Sequence, residues 1–351
     1  MLTKEQISEI REHLDRAQNP IFFFDNDSDG LCSFLLLQRF CEKGKGVPIK
    51  SFPDLSEEYF RKVHELNADY IFILDKPLVS DGFFEKAREL NMPVVCIDHH
   101  DAGKKIPDFV NYYNPTVSTN EKSEPTTYLC YQVSQKKEDM WIAVVGCVAD
   151  KFFPEFYHSF RKEYPDLTID SEDAFEIRYR SRIGKLTNIF SFALKDRTTN
   201  VVRMMKFLIN AKGPYEVLDE SQKNYTVHQR FVQINEKYQK LLEKAKRGAS
   251  GGLLFFQYGG DLSISSDLAN ELNYLFPGRY VVVAFVTGAK VNISARGLGV
   301  RKIISDITGD FRNSTSGGHE DAIGAKIMKE DLRKFKKRLA DYVENKEQQN
   351  L

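Results

Sequence analysis

No stretch of this 351-residue chain approaches the roughly 20 consecutive apolar residues that cross a bilayer, so no membrane span is expected. Cysteine is sparse. The five residues, Cys32, Cys41, Cys96, Cys130 and Cys147, include no Cys-x-x-Cys pair. That spacing excludes a thiolate zinc site and a disulfide framework, and it points to reduced thiols in a cytoplasmic protein. The first residues, Met1-Leu2-Thr3-Lys4-Glu5, are polar and mixed in charge, unlike a secretory leader. Neither sign of charge is in excess, with 50 Lys+Arg against 50 Asp+Glu. A global positive field is therefore excluded, and any nucleic-acid binding has to use a local basic groove. Tandem repeats and long low-complexity tracts are absent as well. A hydrophobic share of 42% fits a globular chain, and its length allows two domains.

The first half alternates strand and helix patterns. Thr3 and Gln6 form a capping box for a helix reaching about Ala17. Apolar runs at residues 21–24, 70–74 and 94–97 read as strands, and residues 55–66 and the stretch from Ser80 to Leu90 read as helices. Pro125 suits the first turn of a further helix. This β-α-β-α-β order predicts an α/β fold with a parallel sheet and helices on both faces. Residues from about 155 to 247 read as amphipathic helices. Basic residues there (Arg178, Arg180, Arg182, Lys185, Arg203, Lys206) interleave with aromatics, which reads as a salt-bridged helical connector rather than a nucleic-acid face. The stretch Lys246-Arg247-Gly248-Ala249-Ser250-Gly251-Gly252 marks a boundary. Beyond it strands at 253–258, 280–286 and 291–295, a hairpin turn at 287–290 and helices at 267–276 and around Leu332 to Val343 form a second α/β unit.

Carboxylates gather where the first-half strands end: Asp25, Asp27 and Asp29, then Asp75, then Asp98. Asp150 joins them as a fourth strand end, behind the apolar run 141–148. Carboxylates at successive ends of one parallel sheet converge on one edge, where open α/β sheets bind ligands. Unneutralised, they would raise each other's pKa values, so the pattern calls for cations. Oxygen ligands with an imidazole from Asp98-His99-His100 suit Mn2+ or Mg2+. Asp25-x-Asp27-x-Asp29-Gly30 imitates the start of a calcium loop, but no bidentate glutamate follows at the required distance. Lys76 and Lys151 each follow one of these aspartates and are read as surface residues.

At this point the chain resembles a known family. Asp25-Asn26-Asp27-Ser28-Asp29-Gly30, Asp75, Asp98-His99-His100 and Gly146-Cys147-Val148-Ala149-Asp150 are similar, in order, to the four motifs of the DHH phosphoesterase superfamily. Gly317-Gly318-His319 and Asn292-Ile293-Ser294-Ala295-Arg296 resemble the DHH-associated C-terminal domain. The three-aspartate first motif is nearest to short RecJ-like exonucleases. The resemblance implies a DHH catalytic core over 1–155, a helical connector over 156–247 and a smaller substrate-binding domain with a mixed sheet over 248–351. The active site would lie in the cleft between the domains.

The resemblance also implies roles. Asp25, Asp27, Asp29, Asp75, His99 and Asp150 become candidate ligands for two divalent metal ions, Mn2+ foremost and Mg2+ next. Asp75 would bridge both ions, while direct contact of Asp25 with a metal is left open. Asp98 would orient the histidines, and His100 would meet the scissile phosphate. Arg296, Gly317, Gly318 and His319 would meet a substrate phosphate or terminal sugar, aided by the dipole of a helix after the glycines. The implied activity is metal-dependent exonucleolytic hydrolysis of single-stranded DNA, RNA or short oligonucleotides, with no membrane partner. The alternatives are a nanoRNase or 3′-phosphoadenosine phosphatase, and a non-catalytic nucleic-acid or replication-partner module. Protein partners, strand preference and direction are not readable.

Overall fold

A computed structural model describes the protein except for residues 52–53, 101–104, 116–123, 250 and 350–351. Ser250, part of the expected boundary stretch, therefore lies outside the described residues. The chain divides into two units, Met1–Val232 and Gln233–Leu351. No helix among the described residues is long and apolar enough to cross a membrane.

The first unit is built on a parallel sheet of β1 (Pro20–Asp25), β2 (Lys45–Ile49), β3 (Tyr70–Leu74), β4 (Val94–Ile97) and β5 (Val110–Tyr113). The strand order is β2-β1-β3-β4-β5. Strand β1 shows why both faces must be covered. Phe22 and Phe24 point into one apolar cluster, while Ile21 and Phe23 point into another. A strand buried on both sides reads as a continuous apolar run rather than an alternating one. Around the sheet lie α1 (Lys4–Arg16), α2 (Ser28–Cys41), α3 (Arg61–Glu65), α4 (Asp81–Glu89), α5 (Thr126–Ser134) and α6 (Met140–Ala149). The Thr3–Gln6 capping box opens α1, and Ser80 caps α4. Five further helices follow: α7 (Tyr157–Glu163), α8 (Ala174–Arg180), α9 (Arg182–Leu194), α10 (Thr198–Asn210) and α11 (Pro214–Leu218). The division between the units falls within α12 (Tyr225–Arg247).

One local reading of this unit is corrected, and one strand carried no sequence signal. Residues 141–148 are not a strand but the body of α6, so Asp150 stands at a helix C-cap. An eight-residue apolar run fits a buried strand and a buried helix equally, and here α6 is buried along nearly its whole length. Strand β2 had no clear pattern because it contains Pro48. It sits at the sheet edge, where a missing N–H is tolerated.

The second unit carries a mixed sheet of β6 (Leu253–Gly259), β7 (Tyr280–Thr287), β8 (Lys290–Arg296), β9 (Thr315–His319) and β10 (Ala322–Met328), in the order β6-β7-β8-β10-β9. Only β6 and β7 pair in parallel. Gly288, with φ of 57°, makes the β7–β8 turn. Helices α13 (Ser265–Leu275), α14 (Val300–Gly309) and α15 (Leu332–Gln349) accompany the sheet. The apolar side of α15, with Phe335, Leu339 and Val343, joins the unit's core. Gly317 and Gly318 lie in β9 and lead through a tight turn into β10, so the expected helix dipole behind them does not exist.

Candidate metal centre

Parallel pairing sets Phe24, Leu74 and Ile97 side by side at the ends of β1, β3 and β4. The next residues of those chains are Asp25, Asp75 and Asp98, so topology alone brings three carboxylates to one sheet edge. Between β1 and α2 the chain turns sharply. Asp27 caps α2 by accepting from the Gly30 N–H at 3.0 Å. A Cβ on Gly30 would lie 2.4 Å from the Asp25 carbonyl oxygen, so only glycine allows this turn. Asp29 then points back under the sheet edge.

Asp29 is held by the N-terminus of α5. Its oxygens accept from the backbone N–H groups of Thr126 (3.0 Å) and Thr127 (2.7 Å). The Thr126 hydroxyl donates to Asp75 Oδ1 at 3.2 Å. Asp75 itself sits in the left-handed region, with φ of 58°. Asp and Asn are among the few side chains that tolerate this. The resulting constellation centres on His99. Its Nε2 lies 3.4 Å from Asp75 Oδ1, 3.8 Å from Asp29 Oδ2 and 3.8 Å from Asp150 Oδ2. The donor atoms of Asp29, Asp75 and His99 all fall within 4.8 Å of one another.

Electrostatics single out the same group. Burial, then the charges of Asp29, Asp27, Asp25 and Asp98, push the Asp75 carboxyl well above its ordinary value. Burial also raises Asp29, against the pull of His99. Asp27 is pushed up to about 7 by burial of its carboxyl and then by Asp25 and Asp29. The residue is nevertheless exposed to solvent, so water screens it more than the buried Asp29 and Asp75 and moderates that rise. Burial would also raise Asp98, but His100 and His99 outweigh it, and Asp98 stays below its ordinary value. His100 Nδ1 lies 2.9 Å from Asp98 Oδ1. Burial opposes a charge on His100, yet the Asp98 carboxylate raises it to about 9. The Asp98 carboxylate therefore favours the charged form of this ring. Its loop is tied down by Asn114, which donates to the His100 carbonyl at 2.7 Å.

The structure thus brings Asp25, Asp27, Asp29, Asp75, Asp98, His99, His100 and Asp150 together at one edge of the first unit. Arg296, Gly317, Gly318 and His319 belong to the second unit. There, Arg296 pairs with Ala322, and Ala322 pairs with His319, which places Arg296 and His319 on one face, two strands apart. Arg296 is buried. Its guanidinium donates to Asn270 Oδ1 (2.6 Å), the Ala295 carbonyl (2.8 Å) and Ser266 Oγ (3.5 Å). Gly318 has φ of 148°, and a Cβ there would meet the Ala322 carbonyl oxygen at 2.4 Å.

Some residues escaped the sequence reading. Thr126 and Thr127 give no motif signal beyond their place behind Pro125. Arg178 is buried and donates to the Ala149 carbonyl at 2.6 Å, so it steadies the end of α6 beside Asp150 rather than lying on a solvated face. Lys76 is likewise buried, against the expectation of a surface position, and pairs with Asp25. Lys151 is half-buried, with its ammonium 4.5 Å from the Phe175 ring centre.

Residues 21–149 match the model of the DHH family, N-terminal domain, and residues 230–345 match that of the DHHA1 domain. The single-stranded-DNA-specific exonuclease RecJ of Bacillus subtilis (strain 168) is 24% identical over 112 residues, which covers 30% of this chain and 14% of that protein. The crystal structure of RecJ from Thermus thermophilus in complex with Mn2+ matches with a TM-score of 0.67 at 16% identity, covering 97% of this chain and 54% of that one. The DHH domain of a member of the s1p family of ribosomal proteins matches with a TM-score of 0.68 at 15% identity, covering 97% of this chain and 90% of that one. The matches thus span less than two thirds of either RecJ protein. At these identities the structural likenesses speak for the fold.

Proposed function

Since the chain belongs to the DHH superfamily and carries a DHHA1 domain, we propose that it is a divalent-metal-dependent phosphodiesterase acting from one end of single-stranded nucleic acid or short oligonucleotides. The observation that carries this reading is the ring of Asp29, Asp75 and Asp150 oxygens around His99 Nε2, all within 3.8 Å. Buried like charges of this density are stable only when neutralised. The donor set, carboxylate oxygens with one imidazole, fits hard cations such as Mn2+ and Mg2+. Asp98 Oδ2 is buried with no hydrogen-bond partner among the described residues, although Oδ1 is engaged by His100. Asp27, Asp29, Asp75, His99 and Asp150 would hold two such ions. Bound there, they would supply an activated water and Lewis-acid stabilisation of a phosphoryl group.

The chain's own residues divide the remaining work. Thr126 and Thr127 fix the direction of Asp29, and Thr126 fixes Asp75 as well. Asp98 holds the His100 ring at 2.9 Å and favours its charged form, so His100 would serve as a donor to a phosphate oxygen. In the second unit, Arg296 and the Gly317-Gly318-His319 strand would take a substrate phosphate or terminal sugar. Charge supports that division. Residues 233–351 contain 19 Lys+Arg against 14 Asp+Glu, while residues 1–232 contain 31 against 36. The neutral whole therefore conceals a basic half suited to a polyanion.

The test is release of mononucleotides from end-labelled DNA and RNA strands of two to about 20 nucleotides, with and without Mn2+. Metal-dependent release that is lost in Asp75→Ala supports the reading. Full activity in Asp75→Ala would refute the metal assignment. Activity confined to dinucleotides or 3′-phosphorylated adenosine nucleotides would move the protein to the small-substrate class.

A further inference from the structure

A buried charge at the border of the acidic cluster has no part in the proposed chemistry. Lys76 follows Asp75 and is only 6% exposed. Its Nζ lies 3.0 Å from Asp25 Oδ1 and 3.4 Å from the Ser51 carbonyl oxygen. The ammonium thus joins the end of β1 to the chain leaving β3, at the border of the acidic cluster. A lysine is rarely buried unless its charge is matched, and among the described residues the match is the Asp25 carboxylate.

We propose that Lys76 is a resident cation of the cluster, which neutralises Asp25 and takes it out of the metal-ligand set. This assignment rests on the metal-centre reading. A divalent ion drawn to Asp25 would have to approach an ammonium already in hydrogen-bond contact with Oδ1 of that carboxylate, and the repulsion between the two cations weighs against Asp25 as a ligand. Asp25 and Lys76 form one neutral pair, so Asp25 brings no uncompensated charge that a divalent ion has to balance. Lys76 also acts as a positioning residue. It anchors the backbone next to Asp75, whose left-handed conformation needs its neighbours to hold it.

The experiment compares the wild type with Asp25→Asn, Asp29→Asn, Lys76→Met and the double variant Asp25→Asn/Lys76→Met. Mn2+ number and affinity are measured by calorimetry, and stability is measured by urea denaturation in chelator. Asp25→Asn is expected to bind the same number of Mn2+ ions with affinity within about threefold of wild type. Asp29→Asn is expected to lose about 100-fold or more, the scale of removing a true ligand or its immediate support. Lys76→Met strands a carboxylate and is expected to be the least stable. The double variant recovers much of the loss, because removing both members of a buried pair costs far less than removing one. If Lys76→Met does not fold, Asp25→Asn and the double variant still decide. A drop in Mn2+ number, or more than about tenfold in affinity, in Asp25→Asn would overturn the assignment. So would strictly additive stability losses in the cycle. Failure of the wild type to bind Mn2+ would overturn the metal reading, and this assignment with it. A defect confined to Asp25→Asn would overturn this assignment alone.

Discussion

Replacing Asp75 by Asn removes one charge from the cluster and almost nothing else. The left-handed backbone at φ of 58° suits Asn as well as Asp, and an amide oxygen still accepts from the Thr126 hydroxyl at 3.2 Å. Several influences on the ionised Asp75 compete in the metal-free protein, with burial the largest and Asp29 the nearest in effect of the neighbouring carboxylates. The Asp29 donor oxygen lies within 4.8 Å, a repulsion of about 3.5 kcal/mol at an effective dielectric of about 20. His100 Nδ1 lies 3.8 Å away, an attraction of about 4.4 kcal/mol on the same scale. These nearly cancel, and the His100 charge is already engaged by Asp98 at 2.9 Å. The decision falls to desolvation of a carboxylate that is 2% exposed, several kcal/mol, offset in part by about 1.5–3 kcal/mol from a hydrogen bond to a charged group. Desolvation prevails, so an ionised Asp75 costs the fold about 1–3 kcal/mol relative to a neutral side chain of the same shape.

Asp75→Asn is therefore expected to be more stable than wild type in chelator by about 1–3 kcal/mol at pH 8. The sign with pH follows from the raised pKa. A folded carboxyl held above its ordinary 3.8 contributes stability that is full below about pH 4 and is lost as pH rises through the folded value. The variant lacks this loss, so the gap should close near pH 4 and open towards pH 8. Saturating Mn2+ reverses the order. Wild type gains about 2.7 kcal/mol at a hundredfold excess over Kd, and the variant does not. Urea denaturation followed at Trp141, the single tryptophan of the chain and part of α6, reads the first unit directly. A variant less stable than wild type in chelator at pH 8 would refute the account of a frustrated cluster. Equal stabilisation of both proteins by Mn2+ would remove Asp75 from the site.

What could be read from the sequence followed from local chemistry. Strands β1, β3 and β4 are short apolar runs, each closed by an aspartate, and their parallel pairing turns three such endings into one edge. The carboxylates there were legible for that reason. Asp150 was placed correctly in the group but on the wrong element, because the helical period cannot be seen in α6, where nearly every side chain is buried. Burial at a distance was not legible either. Nothing next to Lys76 in the sequence announces that Asp25, 51 residues earlier, will meet it. The grip of Thr126 and Thr127 on Asp29 spans 97 and 98 residues. The glycines at 317 and 318 suggested a loop before a helix. Their place in β9 is decided by pairing with β10, a tertiary choice that overrides local preference.

Two substitutions separate binding from construction. Arg296→Ala is expected to weaken oligonucleotide binding at least tenfold while Mn2+ affinity stays within about threefold, since Arg296 contributes one phosphate-binding fork and no metal ligand. Parallel losses of metal and substrate, by calorimetry, would refute the division of labour between the units. Gly146→Ala tests the packing beneath the metal centre. A Cβ at Gly146 would lie 2.2 Å from Thr127 Oγ1, 2.6 Å from Thr127 Cγ2 and 2.8 Å from Cys32 Cβ. None of these is the loose end of a flexible chain: threonine is stiff at its first torsion, and Thr127 Oγ1 is bonded to the Asp29 carbonyl at 3.0 Å. Alanine improves helix propensity by about 1 kcal/mol, but overpacking of about 1–3 kcal/mol exceeds it. The strain is relieved by moving α6 off α2 and α5, which shifts Asp150 at the end of α6 and loosens the Thr127 N–H from Asp29. The variant should therefore unfold at lower urea and bind Mn2+ at least tenfold more weakly, although its new methyl touches no proposed ligand. Lowered stability with unchanged Mn2+ affinity would show that the metal centre does not depend on this close approach of α5 and α6.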